Sequence, residues 1–210
     1  GSSSDLPVPH DELKRVFDLA VASLLLLAVA PILAACAVAV RLTSRGPAIF
    51  GHQRYGRGGT TFTCLKLRTM VAHAEAWLAE DEDLRALHRQ NDFKLPVAED
   101  PRVTRIGRFL RVSHIDELPQ LINVLRGEMS LVGPRPVVEE ELEWYGDRVG
   151  DFLAVRPGIF GLWTAQGHKR VEYPARASAE LAYVDNSSLV GDLGILLRHV
   201  PVVLRGQGEE

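Results

Sequence analysis

Leu19 to Val40, LAVASLLLLAVAPILAACAVAV, runs 22 residues without a charge and decides how the rest of the chain is read. As a straight helix it would measure about 33 Å, enough to cross a hydrocarbon core. The run is too long for the apolar region of a signal peptide, and no clean small-residue cleavage site precedes a mature domain. A buried core helix is the other alternative, and so long a charge-free run is out of proportion to a chain of 210 residues. Pro31 falls in its middle, where it removes a backbone hydrogen bond and bends a helix. Lys14 and Arg15 flank one end, Arg41 and Arg45 the other. The basic bias that marks the cytoplasmic side of a span is therefore present at both ends. A helix broken at Pro31 that dips into one leaflet and returns satisfies both flanks. This re-entrant form is expected over a straight span.

Outside that segment the composition is ordinary. With 46% hydrophobic and 24% charged residues the chain is neither disordered nor a repeat array. Cys36 and Cys64 are too few for a disulfide framework or a four-cysteine zinc site, and fit a reducing compartment. The net charge of −3 divides unevenly: residues 1–70 carry +4 and the remainder −7. That split argues against a nucleic-acid partner and gathers positive charge around the apolar run. Gly1-Ser2-Ser3-Ser4 resembles a cloning remnant, and the native chain is expected to begin earlier. The organisation expected is a flexible start over 1–10, the membrane segment over 11–45, a globular domain over 46–205 and a tail over 206–210.

Ala48 to Tyr55 and Thr60 to Arg68 read as two strands, joined at Gly56-Arg57-Gly58-Gly59, a strong turn signal. Met70 to Arg89 reads as helix and Asn91 to Pro101 as a polar loop. Val103–Arg111 and about Glu117–Leu125 read as short helices, with another restarting at Glu139 to Tyr145. Arg156-Pro157-Gly158 is a turn, and the C-terminal part holds helices near Ala175–Tyr183 and Leu189–Leu204. The fold class is α+β: a small, mostly helical domain with one β-hairpin and the N-terminal membrane helix. It carries no G-x-G-x-x-G or Walker motif.

The chemistry centres on Asp116-Glu117-Leu118-Pro119-Gln120. Proline fits the first turn of a helix, which places Asp116 at or near an N-cap and Glu117 just inside. Alone, this is a plain capping aspartate. Its surroundings alter the reading. Arg102, Arg105, Arg108 and Arg111 recur every third residue upstream, on a broad helical face. Ser130-Leu131-Val132-Gly133-Pro134-Arg135-Pro136 presents one more guanidinium downstream. Carboxylates at a helix start among arginines point to phosphate chemistry, and a carboxylate held ionised there can act as a nucleophile.

At these residues the chain resembles the bacterial sugar transferase family, the monotopic phosphoglycosyl transferases. The resemblance rests on Lys14-Arg15-Val16-Phe17-Asp18, Leu65 to Met70, Asp100 to Arg111, Asp116 to Asn123, Ser130 to Pro136, Val155 to Ile159 and Gly161-Leu162-Trp163. It runs from about residue 12 to 203. It implies transfer of sugar-1-phosphate from a UDP-sugar donor to a polyprenyl phosphate acceptor such as undecaprenyl phosphate, with release of UMP. The implied step is the first membrane step of polysaccharide assembly, at the cytoplasmic face of the cell inner membrane. It further implies Asp116 as the nucleophile that carries the phosphosugar, Glu117 as its acidic partner, and magnesium held by both. Arg68, Arg111, Arg135, Arg156, His168 and Arg170 are the implied phosphate- and substrate-binding residues. Glu128 reads as a cap more than a site residue. Membrane lipid and a second copy of the chain, as a homodimer, complete the partners.

Two departures from the family pattern carry expectations of their own. Ala30-Pro31 stands where Ser-Pro is usual, so the helix break rests on proline and its packing. Thr164-Ala165-Gln166-Gly167-His168 replaces a stretch that ends in arginine. Either His168 or the nearby Lys169 and Arg170 supplies that charge, or the donor contacts differ. Two readings compete with the enzyme: a membrane-anchored nucleotide-sugar or lipid-phosphate binding protein without turnover, and a non-catalytic assembly factor. The Asp116-Glu117 pair among arginines argues against both.

Overall fold

A computed structural model of the protein describes residues 9–90, 95, 97–162 and 173–204. The first helix, α1 (Pro9–Thr43), includes the whole apolar run. It leads into a hairpin of β1 (Ile49–Tyr55) and β2 (Thr61–Leu67), antiparallel with Ile49 opposite Leu67 and Tyr55 opposite Thr61. The glycine-rich turn between them contains a 3-10 turn at Arg57–Gly59. Two short helices follow, α2 (Ala74–Glu80) and α3 (Glu82–Gln90), where the sequence suggested one. Asp81 separates them and its carboxylate accepts from the Leu84 amide, as an N-cap of α3 should.

Next come α4 (Arg105–Val112), capped by Thr104, whose hydroxyl accepts from the Gly107 amide, and α5 (Gln120–Arg126). A 3-10 turn, Ile115–Glu117, joins them. α5 stops at Gly127, which adopts the left-handed conformation of a helix C-terminus (φ 86°) that costs glycine least. Beyond it lie β3 (Ser130–Val132), a 3-10 stretch at Glu139–Arg148, α6 (Val149–Leu153) and β4 (Gly158–Phe160). The chain closes with α7 (Ala175–Asp185) and α8 (Leu189–Leu204). β3 and β4 pair in parallel, Ser130 with Gly158 and Val132 with Phe160. The one expected hairpin is present, and this small parallel pair is a second sheet in addition to it.

α1 keeps one helical course through Pro31, so the expected break into two helices does not occur. Proline's own φ is helical, and its ring removes one hydrogen bond without ending the helix. The packing pattern shows why one helix suffices. Phe17, Val21, Ala22, Leu26 and Val29 pack on a core formed with Leu121, Val124, Leu131 and Ile195. Leu33, Cys36, Ala37 and Val40 continue the same stripe onto Leu67, Ile106, Leu110 and Ile115. Pro31 lies on the other, exposed face. A proline there bends the helix toward the body it packs on. Leu24 and Leu27, 68% and 76% exposed, lie on that open apolar face with Ile32, Val38 and Leu42.

Polar contacts fasten both ends of α1 to the same globular body. Near the start, Lys14 pairs with Asp192 of α8 and donates to the Val132 carbonyl (3.0 Å). Buried Asp18 accepts from the Leu131 amide (3.1 Å), and Arg15 donates to the Val124 and Leu125 carbonyls at the end of α5. At the far end the buried Arg68 guanidinium donates to the carbonyls of Ser44 and Arg45 at 2.8 and 2.7 Å. Arg41 is exposed.

Candidate active site

Asp116 and Glu117 occupy the 3-10 turn between α4 and α5. Asp116 is therefore not the N-cap of α5 itself; Pro119 holds that position, and it makes no side-chain cap. The chain reaches this turn through His114, which adopts a left-handed φ of 56°. Ile115 packs into the cluster with Leu67, Leu110 and the C-terminal half of α1. The acidic pair thus stands beside the membrane helix. The partner strand follows from alternation in β2: Phe62, Cys64 and Lys66 share a face, and the first two are core residues. Lys66 continues that face to the acidic turn, where its Nζ donates to Glu117 Oε1 at 2.5 Å.

Electrostatics separate the two carboxyls. Asp116 is 7% exposed, and burial, followed by the charge on Glu117, pushes its pKa up to about 6 against the pull of Lys66, Arg111 and His114. For Glu117 burial works in the same direction, but Lys66, Arg135 and His114 outweigh it and bring the carboxyl down to about 2. One acid is a constant anion. The other is an anion whose charge is poorly compensated.

Arg111 lies near enough to lower the pKa of Asp116, and Arg135 that of Glu117. Arg111 donates Nε to the Thr69 hydroxyl at 2.9 Å. The loop carrying Arg135 is pinned by Glu180, which accepts from the Arg135 amide (3.1 Å), and by Glu141, which accepts from the Val138 amide (3.0 Å). The four upstream arginines do not form one cluster. Arg102 lies before α4 and is buried against Asp100, with Nε and Nη2 donating at 2.9 and 2.8 Å, while Arg105 and Arg108 are exposed. Arg68 directs its guanidinium to the end of α1. Arg156 donates to the Gly127 carbonyl and to Asp11, at the C-terminal end of α5 and away from the acidic turn. Glu128 follows the α5 C-cap and accepts from Asn123 Nδ2 (2.6 Å), a structural contact. His168, Lys169 and Arg170 lie outside the described residues. Lys66 is the residue that sequence reasoning missed as part of the site; a lysine on the core face of β2 was the available signal.

The bacterial sugar transferase model matches residues 10–206, nearly the whole chain. The chain belongs to the bacterial sugar transferase family. It is 43% identical over 199 residues to an undecaprenyl-phosphate galactose phosphotransferase of Salmonella typhimurium, covering 93% of this chain and 41% of that protein. It is 42% identical over 209 residues to a UDP-glucose:undecaprenyl-phosphate glucose-1-phosphate transferase of Caulobacter vibrioides, covering 94% of this chain and 73% of that one. An exopolysaccharide production protein, ExoY, of Sinorhizobium fredii is 41% identical over 196 residues, covering 93% of this chain and 87% of its own length. The chain spans about two fifths of the Salmonella relative and of an uncharacterised sugar transferase of Haemophilus influenzae to which it is 46% identical.

Proposed function

We propose that the protein transfers sugar-1-phosphate from a UDP-sugar to a polyprenyl phosphate, with Asp116 carrying the sugar phosphate between the two. The observation that carries this reading is a buried carboxyl of raised pKa, beside a constantly ionised one, in a turn packed against an apolar membrane helix. Family membership and the printed activities of the Salmonella and Caulobacter relatives support the substrate classes.

In the first step an Asp116 carboxylate oxygen attacks the β-phosphorus of the donor. The bond from that phosphorus to the bridging oxygen breaks, and UMP leaves with the electron pair. In the second step a phosphate oxygen of the acceptor attacks the same phosphorus, the acyl phosphate bond breaks, and the Asp116 carboxylate is restored. The intermediate splits one exchange between two anionic substrates into two easier ones. Arg111 and Arg135 hold phosphate oxygens, while Lys66 keeps Glu117 ionised and in place. A carboxylate whose charge is costly to hold gains by forming a bond.

Magnesium suits this donor set. It binds through one or two carboxylates together with substrate phosphates and its own waters, so two adjacent hard oxygens suffice. Among the described residues no group of three or more metal-binding side chains converges, and none is needed. Asp116 and Glu117 would hold the ion, which would offset charge on the phosphates as UMP leaves.

Attachment of both ends of α1 to one body supports a helix whose two ends lie at the same face of the membrane. A span would have to deliver those ends to opposite faces of the bilayer. The basic flanks support a position for that body at the cytoplasmic face of the inner membrane. Release of UMP on mixing with a panel of UDP-sugars and undecaprenyl phosphate tests the activity and names the sugar. UDP-sugar binding without UMP release would instead establish the non-turnover binding protein.

A further inference from the structure

α5 ends on Gly127, and α4 ends through Ser113 on His114; both residues are left-handed, with φ of 86° and 56°. Glycine is the residue that this conformation costs least, and asparagine is the next best suited. Among the described residues His114 is the only non-glycine with a positive φ. Its backbone is fully used: the His114 amide donates to the Arg111 carbonyl (3.1 Å), and its carbonyl accepts from the Glu117 amide (3.2 Å). Glycine would make both bonds at lower cost, so the backbone gives no reason for a histidine. What histidine adds to this strained position is its ring.

That ring belongs to the acidic turn. The bond from the Glu117 amide closes the chain around Asp116, so that His114 and Glu117 bracket it. His114 is half-buried, and its charge bears on both carboxyls and on buried His199 of α8. Neighbouring donors are committed to the protein: Lys66 Nζ to Glu117, and Arg111 Nε to Thr69. Among the described residues the His114 ring has no hydrogen-bond partner. A phosphorus attacked by Asp116 must come within bonding reach of that carboxylate. Its non-bridging oxygens are then within reach of a donor on the same turn.

We propose that His114 is a further catalytic residue of the acidic turn, its ring N–H donating to a non-bridging oxygen of the phosphate that Asp116 attacks. The role rests on the assignment of Asp116 as the nucleophile. It needs one N–H, which imidazole carries whether neutral or charged. Such a donor counts most where charge builds up in the transition state, so its removal should lower kcat more than it raises KM.

Glycine and asparagine both suit the left-handed backbone, and of the two only asparagine keeps a side-chain N–H. His114→Gly and His114→Asn are compared with wild type by denaturant unfolding and by UMP release from the UDP-sugar panel with undecaprenyl phosphate, where every variant is fully folded. His114→Gly should unfold at no lower denaturant concentration than wild type, yet lose about a hundredfold in kcat, with KM for the donor changed less than about threefold. His114→Asn should recover about tenfold of that loss. A glycine variant as active as wild type would overturn the proposal, as would a loss that asparagine does not relieve. Earlier unfolding of both variants with kcat unchanged would make the ring a packing residue and overturn it too. No UMP release by wild type from any member of the panel would remove the function and this role together, whereas release undiminished in His114→Gly removes the role alone.

Discussion

Asp116 and Glu117 are neighbours in sequence with opposite electrostatic fates, and that difference is open to test. Asp116 has a higher pKa in the folded protein (about 6) than in the unfolded chain (3.8), so the folded state binds its proton more tightly. Its ionisation therefore removes stability as pH rises between those values, and the loss persists above pH 6. In the presence of chelator, Asp116→Asn should melt higher than wild type at pH 8, by up to about 3 kcal/mol, with the gap closing toward pH 4. Thermal unfolding at both pH values checks this, and the variant should have no turnover. Lys66→Met should lower turnover at least about tenfold, because Glu117 loses its nearest cation while the apolar stem is kept. The nearness of Arg111 and Arg135 to Asp116 and Glu117 was legible because acids close to a helix start and arginines nearby are local patterns. Lys66 was not, since its meeting with Glu117 spans 51 residues and depends on how β2 docks. Arg68 and Arg156 look alike in sequence to the site arginines, and only tertiary contact distinguishes a strap on α1 from a phosphate ligand.

At the scale of elements, the acidic turn is aimed by a close approach of backbone to backbone. α4 meets the end of the hairpin at Gly107, where an added Cβ would lie 1.8 Å from the Thr69 carbonyl oxygen. That oxygen already accepts from the Thr104 amide at 3.0 Å, so neither side can yield. Gly107→Ala should cost about 3 kcal/mol or more and reduce activity through displacement of the turn, measured by denaturant unfolding and UMP release. The hairpin, α4, α7 and α8 were legible from turn residues and periodicity. The β3–β4 pair was not: each strand has three residues, and their partnership joins segments separated by the whole Glu139–Arg148 stretch. The division of α2 from α3 at Asp81 was hidden in an acidic run that reads equally as a solvated helix face.

For the whole molecule, α1 is both the membrane segment and one wall of the core. Its inner stripe packs from Phe17 to Val40 on the body while its other face is open and apolar. The apolar run and its flanks were legible; the single course through Pro31 depended on a docking face that composition does not reveal. Cysteines placed just before Lys14 and just after Arg45 should both resist an impermeant reagent applied outside intact cells, and labelling of the first alone would establish a span. The central claim is that the sugar phosphate passes through Asp116. The full chain is incubated with a UDP-sugar labelled in the β-phosphate, without acceptor, quenched and digested. The account predicts label on the peptide containing Asp116, discharged by polyprenyl phosphate and missing in Asp116→Asn. UMP formed only when acceptor is present, with no label on the protein at any time, would contradict it.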